Sequence, residues 1–339
     1  MKKILIIHTA FIGDIILSTP LIKKIKAKYI DEGSSITYVT TPAGASVLKN
    51  NPDLDEIIAY DKRGTHKGFK GLYLLGKRLN YKGFDEVIIP HRYLRSSILG
   101  RLTGAPIRIG YDNASGGFLL TKKIPYDRSK HEVEKLLSFI ELDNFTNKKL
   151  SLYPSEIDKK KIDEIWEKNN LEGKKIILVA PGSKWFTKKW PIEYFNELLK
   201  KLAKKSEYRI VLIGGQEESM LNMYTDKNII NLMGKTSLLD VAELCNRSEI
   251  IVTNDSSPIH IASAFEKLHI VAIFGATTKE LGFFPWSKNS EVLENNNLDC
   301  RPCGLHGGDK CPKGHFKCML DIKPEIVYEK IQNYLNLKP

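Results

Sequence analysis

The chain reads as an α/β protein built on doubly wound parallel sheets. Three observations predict this. Short apolar runs such as Lys3–Ile7, Lys175–Ala180 and His269–Phe274 have the unbroken hydrophobicity of strands buried on both faces. Amphipathic stretches of helical period alternate with them, as expected of crossover-connected parallel strands. The alternation runs twice, with a loosened stretch at Asn144–Pro154 between, and 339 residues are too many for one ordinary core. Two domains are expected, over 1–150 and 151–339, facing each other across one cleft.

In the first series, strands are expected at Lys3–Ile7, Ser35–Thr40, Glu56–Tyr60, Asp85–Pro90 and Ile107–Gly110. Helices are expected at Asp14–Tyr29, Ala43–Asn50, Phe69–Asn80, Leu94–Leu102 and Lys130–Leu142. Tyr111–Arg128, with Gly116-Gly117 and Pro125, reads as a long irregular loop. In the second series, Ser155 caps a charged helix at Glu156–Asn169. Strands follow at Lys175–Ala180, Tyr208–Ile213, Ile229–Leu232, Glu249–Thr253 and His269–Phe274. Helices follow at Ile192–Lys204, Glu217–Tyr224, Leu238–Asn246 and Pro258–Glu266. A last helix, Pro324–Leu335, is long enough to pack back on the N-terminal domain.

Composition narrows the function. The 52 Lys+Arg against 40 Asp+Glu leave a net charge of +12, which favours anionic partners. Much of the excess is lysine on solvated helix faces, and no nucleic-acid-binding signature is present, so nucleic acid is not an expected partner. There is no apolar run of transmembrane length and the N-terminus reads directly into a strand, so a cytoplasmic protein is expected. Neither series carries Gly-x-Gly-x-x-Gly after its first strand, which argues against a nicotinamide dehydrogenase, and there is no P-loop.

Ligands of open α/β sheets bind beyond the carboxyl ends of the strands. The first such loop ends in Gly13-Asp14, and Asp14 is its only acid. Two readings stay open: a general base for a sugar hydroxyl, or a helix cap. In the second series the first strand runs into Pro181-Gly182-Ser183-Lys184, followed by Lys188 and Trp190-Pro191. Backbone amides at Gly182 and Ser183 and ammonium groups at Lys184 and Lys188 suit a phosphate. Asn254-Asp255-Ser256-Ser257 precedes a helix that carries His260 one turn later, an arrangement suited to an anion. Gly214-Gly215-Gln216-Glu217 and Gly234-Lys235-Thr236-Ser237-Leu238 are glycine-led loops that admit a base or ribose.

Taken in order, these motifs resemble the bacterial ADP-heptose:lipopolysaccharide heptosyltransferases of glycosyltransferase family nine. Phe274-Gly275-Ala276-Thr277-Thr278 and the Cys-Arg-Pro-Cys…Cys-Pro-Lys-Gly-His…Cys-Met block add to the resemblance, which spans nearly the whole chain. It is closer to the branch that adds a second heptose. The resemblance implies two Rossmann-like domains of the GT-B type, with the acceptor held by the N-terminal domain and the nucleotide sugar by the C-terminal one. It implies an inverting transfer of heptose from ADP-heptose to the Kdo/heptose–lipid A inner core, with no required metal and Asp14 as the base. Gly182, Ser183, Lys184, Lys188, Glu217, Thr236, Ser237, Leu238, Asp255, Ser256, Ser257 and His260 fall in the donor's loops. Gly13, Arg63, His91, Arg92 and Arg95 are candidate acceptor residues. A lipid-borne acceptor also implies peripheral contact with the cytoplasmic face of the inner membrane. Ser257 and Pro258 depart from the family pattern, in which Gly usually follows the Asp-[Ser/Thr] pair.

Cys300-x2-Cys303-x7-Cys311-x6-Cys318 is left with three readings: zinc ligands, reduced structural thiols, or thiols that oxidise on handling. Two other functions compete with the main one. One is a transferase of the same fold using another nucleotide sugar. The other is a non-catalytic binder of anionic glycolipid or nucleic acid, which gains nothing from an acid at Asp14. Oligomeric state is not readable from the sequence.

Overall fold

The computed structural model describes residues 1–337, so the last two positions of the second expected domain lie outside it. The chain divides into two compact units, Met1–Tyr153 and Pro154–Pro339.

The first unit runs β1 (Lys2–Ile7), α1 (Ile12–Leu17), α2 (Thr19–Lys28), β2 (Ser34–Thr40), α3 (Pro42–Leu48), β3 (Glu56–Ala59) and α4 (Gly68–Asn80). It continues with β4 (Glu86–Ile89), α5 (Leu94–Leu102), β5 (Ile107–Tyr111), β6 (Lys122–Ile124) and α6 (Glu132–Leu137). Its six strands lie in the order β3-β2-β1-β4-β5-β6, all parallel. The order reverses between β1 and β4. Loops leaving these two strands therefore diverge to opposite sides and open a crevice at their carboxyl ends.

The second unit repeats the plan. It runs α7 (Glu156–Lys168), β7 (Lys175–Ala180), α8 (Ile192–Ala203), β8 (Tyr208–Leu212), β9 (Ile229–Asn231), α9 (Leu238–Asn246) and β10 (Ile250–Asn254). Then come α10 (Ser257–Ala262), β11 (His269–Phe274), β12 (Ser290–Glu294), α11 (Lys317–Leu320) and α12 (Pro324–Leu337). The strand order is β12-β11-β10-β7-β8-β9, again all parallel, with the reversal between β10 and β7. The doubly wound α/β expectation holds for both units.

The inner strands are the apolar runs of the sequence. Leu5, Ile7, Val39, Val87 and Ile89 pack beneath Leu72, Leu75 and Leu79 of α4 and Leu99 of α5. In the second unit Ile177, Val179, Ile210, Val252 and Ile273 pack with Phe195, Leu198 and Leu202 of α8. Val327, Ile331 and Leu335 of α12 join the same core, so the last helix contributes to the second unit. Burying each such side chain contributes about 1.5–3 kcal/mol.

Several expected elements are corrected. The single helix expected over Asp14–Tyr29 is two helices, because Pro20 has no N–H to continue the ladder. The Thr19 hydroxyl takes the Ile16 carbonyl instead, at 2.8 Å, and the Ser18 hydroxyl takes Ile15 at 2.7 Å. The irregular loop expected over Tyr111–Arg128 contains β6, paired with β5 from Ile109↔Lys122 to Tyr111↔Ile124. Two exposed lysines in a three-residue strand hide it from a hydrophobicity reading. Likewise, β12 is half-buried throughout and has no apolar run. The helix expected over Glu217–Tyr224 is only a 3-10 turn at Glu218–Met220. The helices expected at Lys130–Leu142 and Pro258–Glu266 shorten to α6 and α10.

Candidate functional site

The reversal of strand order in the second unit brings two sequence-predicted loops into direct contact. Asn254, at the end of β10, donates from Nδ2 to the Pro181 carbonyl at the end of β7, at 2.7 Å. Its Oδ1 accepts the Trp190 amide at 3.0 Å. The Ser256 hydroxyl donates to the Gly182 carbonyl at 3.2 Å. Lys188 Nζ lies 2.6 Å from Asp255 Oδ2, which also accepts from the Thr277 hydroxyl. Trp190 anchors the loop from below: its indole is buried and donates to the Ile322 carbonyl at 2.8 Å. Gly182, Lys188, Asp255 and Ser256 thus share one place. Ser183 is buried beside them, and Ser257 opens α10, with His260 buried one turn on. Lys184 is exposed and lies 5.2 Å over the Trp185 ring.

The remaining donor candidates stand further along the sheet, on loops leaving β8 and the edge strand β9. The two loops touch: the Gly234 amide donates to the Gly214 carbonyl at 3.0 Å. Gly234 has φ +74°, a conformation that favours glycine. Ser237 is committed to capping α9, accepting from the Asp240 amide at 3.0 Å while Asp240 accepts from the Ser237 amide at 2.7 Å. Leu238 begins that helix, and the Thr236 hydroxyl is buried without a hydrogen-bond partner. Glu217 is exposed. The side chain that turns inward is its neighbour Glu218, whose carboxylate accepts the Gly215 amide at 2.8 Å. A Cβ on Gly182 would stand 2.6 Å from that carboxylate. Sequence reading missed Glu218, because only the 3-10 turn in place of a helix aims it at Gly182.

It also missed the buttress behind these loops. Thr187 is buried, its amide donates to the Gly308 carbonyl at 3.0 Å, and its hydroxyl accepts the Gly308 amide at 2.8 Å. Arg301 donates to the Gly275 carbonyl at 2.5 Å and the Thr277 carbonyl at 2.8 Å, and pairs with Glu294 at 2.9 Å. The Cys303 amide donates to the Ala276 carbonyl at 2.8 Å. The cysteine-bearing segment therefore props up both the Lys188 and the Thr277 loops.

Cys300, Cys303, Cys311 and Cys318 are all free thiols, and among the described residues no group of three or more His, Cys, Asp or Glu could hold a metal. The Cys303 thiol is turned onto the Cys300 carbonyl at 3.2 Å. Cys318 is buried in the apolar core, and burial followed by the neighbouring Cys303 pushes its thiol up to about 11.

In the first unit the crevice between β1 and β4 holds a second cluster. Asp14 lies half-buried in the first turn of α1, and its Oδ2 accepts the Phe11 amide at 3.2 Å. Gly13 precedes it, also half-buried. Thr9 Oγ1 is 3.2 Å from His91 Nδ1, which is 2.7 Å from the Ser96 hydroxyl. Lys62 Nζ donates to Thr9 Oγ1 at 2.7 Å. Burial and then the Lys62 and Arg92 charges hold His91 down at about 4. Behind them His8 is fully enclosed, 3.2 Å from the Tyr38 hydroxyl, and burial drops it to about 3. Tyr38 also meets the Ser18 hydroxyl at 2.7 Å. Both imidazoles are therefore neutral near pH 7.

The acceptor candidates divide. Arg92 stacks 4.2 Å over the Tyr126 ring, next to the His91 cluster. Arg95 is spent on structure, donating to the Tyr60 hydroxyl and to the His66 and Gly68 carbonyls. Arg63 is exposed on the loop after β3. Lys62, one residue earlier, is the cation that reaches Thr9, and nothing in the local sequence distinguishes it from Arg63.

Residues 72–310 match the family described as glycosyltransferase family 9 (heptosyltransferase). The lipooligosaccharide heptosyltransferase 2 of Campylobacter jejuni is 32% identical over 221 residues, covering 61% of this chain and 66% of that protein. The chain thus spans just under two thirds of that relative's length. The crystal structure of a family 9 glycosyl transferase from Veillonella parvula superimposes with a TM-score of 0.86 at 26% identity, covering 98% of this chain and 97% of that one. The structure of ADP-heptose lps heptosyltransferase II from Escherichia coli shares the fold with a TM-score of 0.77 at 23% identity, covering 99% and 98%. The family match runs from α4 of the first unit into the cysteine segment of the second, taking in both loops that meet at Lys188 and Asp255, and so the chain belongs to glycosyltransferase family 9.

Proposed function

We propose that the protein is an inverting glycosyltransferase that moves heptose from ADP-heptose to the inner core of lipopolysaccharide, with the Kdo/heptose–lipid A region as acceptor. The observation that carries this is the meeting of the Gly182–Lys188 and Asn254–Ser256 loops where the strand order reverses, inside the segment matched to family 9. The second unit is read as the donor domain and the first as the acceptor domain.

In this reading the diphosphate of ADP lies over Gly182 and Ser183, with Lys188 and Lys184 supplying positive charge. Glu218, turned toward Gly182 and Gly215, is read as offering a carboxylate oxygen to a hydroxyl of the sugar nucleotide. Asp14 takes the proton of the attacking acceptor hydroxyl. The acceptor oxygen forms a bond to the anomeric carbon as the bond from that carbon to the diphosphate oxygen breaks. ADP departs with the bonding electron pair, and the lysines offset the charge it gains. Lys62 and Arg92, beside the neutral His91, suit an anionic acceptor. ADP-heptose is the substrate in this reading, and no further cofactor is called for.

Calorimetry with ADP, UDP, GDP, CDP and ADP-heptose tests the donor. Selective binding of ADP and ADP-heptose, followed by heptose transfer to truncated lipopolysaccharide, is expected. A preference for another nucleotide keeps the fold and changes the donor. Binding of none of them replaces the transferase reading with that of an anion binder.

A further inference from the structure

We propose that the outward face of α4 seats the protein on the surface of an anionic lipid bilayer. The purpose of this contact rests on the lipid-borne acceptor of the preceding section; its geometry does not.

The helix is fixed in orientation by its inner face. Leu72, Leu75 and Leu79 enter the core of the first unit. Gly71 and Gly76 admit close neighbours: a Cβ would stand 2.4 Å from the His66 carbonyl carbon at Gly71 and 2.5 Å from Leu102 at Gly76. The opposite face therefore has one presentation. It carries Phe69 (82% exposed), Tyr73 (57%), Leu74 (54%) and, at the C-cap, Tyr81 (77%).

Interleaved with these apolar groups are Lys70, Lys77 and Arg78, all exposed. At about 100° per residue the seven positions share roughly half of the helix circumference. There is no acid anywhere in Gly68–Asn80, and among the described residues no ion pair engages Lys70, Lys77 or Arg78. A solvated face would carry mixed charges and few large apolar groups. Aromatic and aliphatic side chains among uncompensated cations are the chemistry of an interfacial helix, with rings at headgroup level and ammonium groups on lipid phosphates. From Phe69 to Tyr81 the face runs about 18 Å, enough to lie flat on a bilayer. No helix among the described residues is long and apolar enough to cross one.

The position of the helix connects this face to the crevice of the first unit. Arg95 donates to the Gly68 carbonyl at 2.8 Å and to the His66 carbonyl at 3.2 Å, pinning the start of α4. The same loop carries Lys62, which holds Thr9 in the loop that leads to Asp14. A bilayer under α4 would present lipid headgroups next to the end of the sheet that bears Asp14.

The test is flotation of the full chain with vesicles of phosphatidylcholine alone or of phosphatidylcholine with phosphatidylglycerol. The wild type is expected to float with the anionic vesicles and to be released by high salt. Phe69→Ser/Tyr73→Ser/Leu74→Ser and Lys70→Glu/Lys77→Glu/Arg78→Glu should each lower partitioning roughly tenfold or more. Their thermal midpoints should match the wild type, because all six side chains are exposed. Equal behaviour toward the two vesicle types, or wild-type partitioning by both variants, overturns the proposal. A dimer in sedimentation that the apolar substitutions dissolve would instead assign the face to a second copy of the chain. The assay contains neither donor nor acceptor, so failure of heptose transfer and failure of docking are read separately.

Discussion

Lys188 and Asp255 come from loops 67 positions apart in the chain and meet as a 2.6 Å ion pair, with side chains only 14% and 6% exposed. In a pair so enclosed, removing one partner leaves the other's charge buried and uncompensated. An incoming diphosphate would compete with Asp255 for the Lys188 ammonium.

Lys188→Ala is therefore expected to weaken ADP binding by about 1.5–3 kcal/mol, the range for a hydrogen bond to a charged group. Asp255→Asn should leave ADP binding intact or tighter, because it frees the lysine while removing a negative charge. Calorimetry on both variants decides the matter. Unchanged ADP affinity in Lys188→Ala would move the phosphate site elsewhere.

Asp14→Asn keeps the size of the side chain and removes the proton acceptor. Turnover should fall by a factor of roughly 100 or more, the scale of general base catalysis. Donor affinity should be retained, since Asp14 is in the unit read as holding the acceptor. An asparagine can still accept the Phe11 amide, so a helix cap alone would lose little. Retained turnover in this variant would leave Asp14 with the capping role only.

Acid should unfold the first unit through two histidines. His8 and His91 are held at about 3 and about 4, below the ordinary 6.5 that they regain on unfolding. Below pH 6.5 the unfolded chain binds protons that the native chain refuses, so stability falls as pH falls. Each histidine contributes a slope of roughly 1.4 kcal/mol per pH unit, ending near 4 for His91 and near 3 for His8. Thermal midpoints from pH 7 to pH 4 should drop less steeply in His91→Asn than in the wild type. Parallel curves would show that His91 titrates normally.

Gly275 lies where the buttress meets the donor loop. A Cβ there would stand 2.6 Å from Met319 Cε and 2.9 Å from the Thr187 carbonyl oxygen. Methionine can yield, but the backbone oxygen moves only with the loop that carries Lys188. Gly275→Ala should cost about 1–3 kcal/mol of stability and weaken ADP binding as well. Loss of stability with full ADP affinity would uncouple the buttress from the site.

Much of the fold was legible because its inner strands are apolar on both faces. Lys175–Ala180 and His269–Phe274 are strands at their expected bounds, and Leu94–Leu102 and Leu238–Asn246 are helices at theirs. Elements stabilised mainly by their neighbours were not legible. The strand Lys122–Ile124 exists because Ile109–Tyr111 offers it a hydrogen-bonding edge, and within Glu217–Tyr224 only a 3-10 turn forms, with Glu218 accepting the Gly215 amide. The break at Ser18 was written in the sequence as Pro20, but the rescue of the Ile16 carbonyl by Thr19 needs coordinates.

The site divides in the same way. Gly182, Lys188, Asp255 and Ser256 sit between a strand and the helix after it, Asp14 opens the helix that follows β1, and position just after a strand is a local property. The sequence alone determined two doubly wound units and these loops, because hydrophobic period and turn chemistry act over a few residues. Only the tertiary structure decided that Lys188 meets Asp255, that Lys62 rather than Arg63 reaches Thr9, and that Glu218 rather than Glu217 turns toward Gly182. It also decided that the segment bearing the late cysteines props the Lys188 and Thr277 loops. These outcomes depend on which groups are brought within hydrogen-bond distance, and chain separations of up to 121 positions, as between Thr187 and Gly308, leave no trace of that in local pattern.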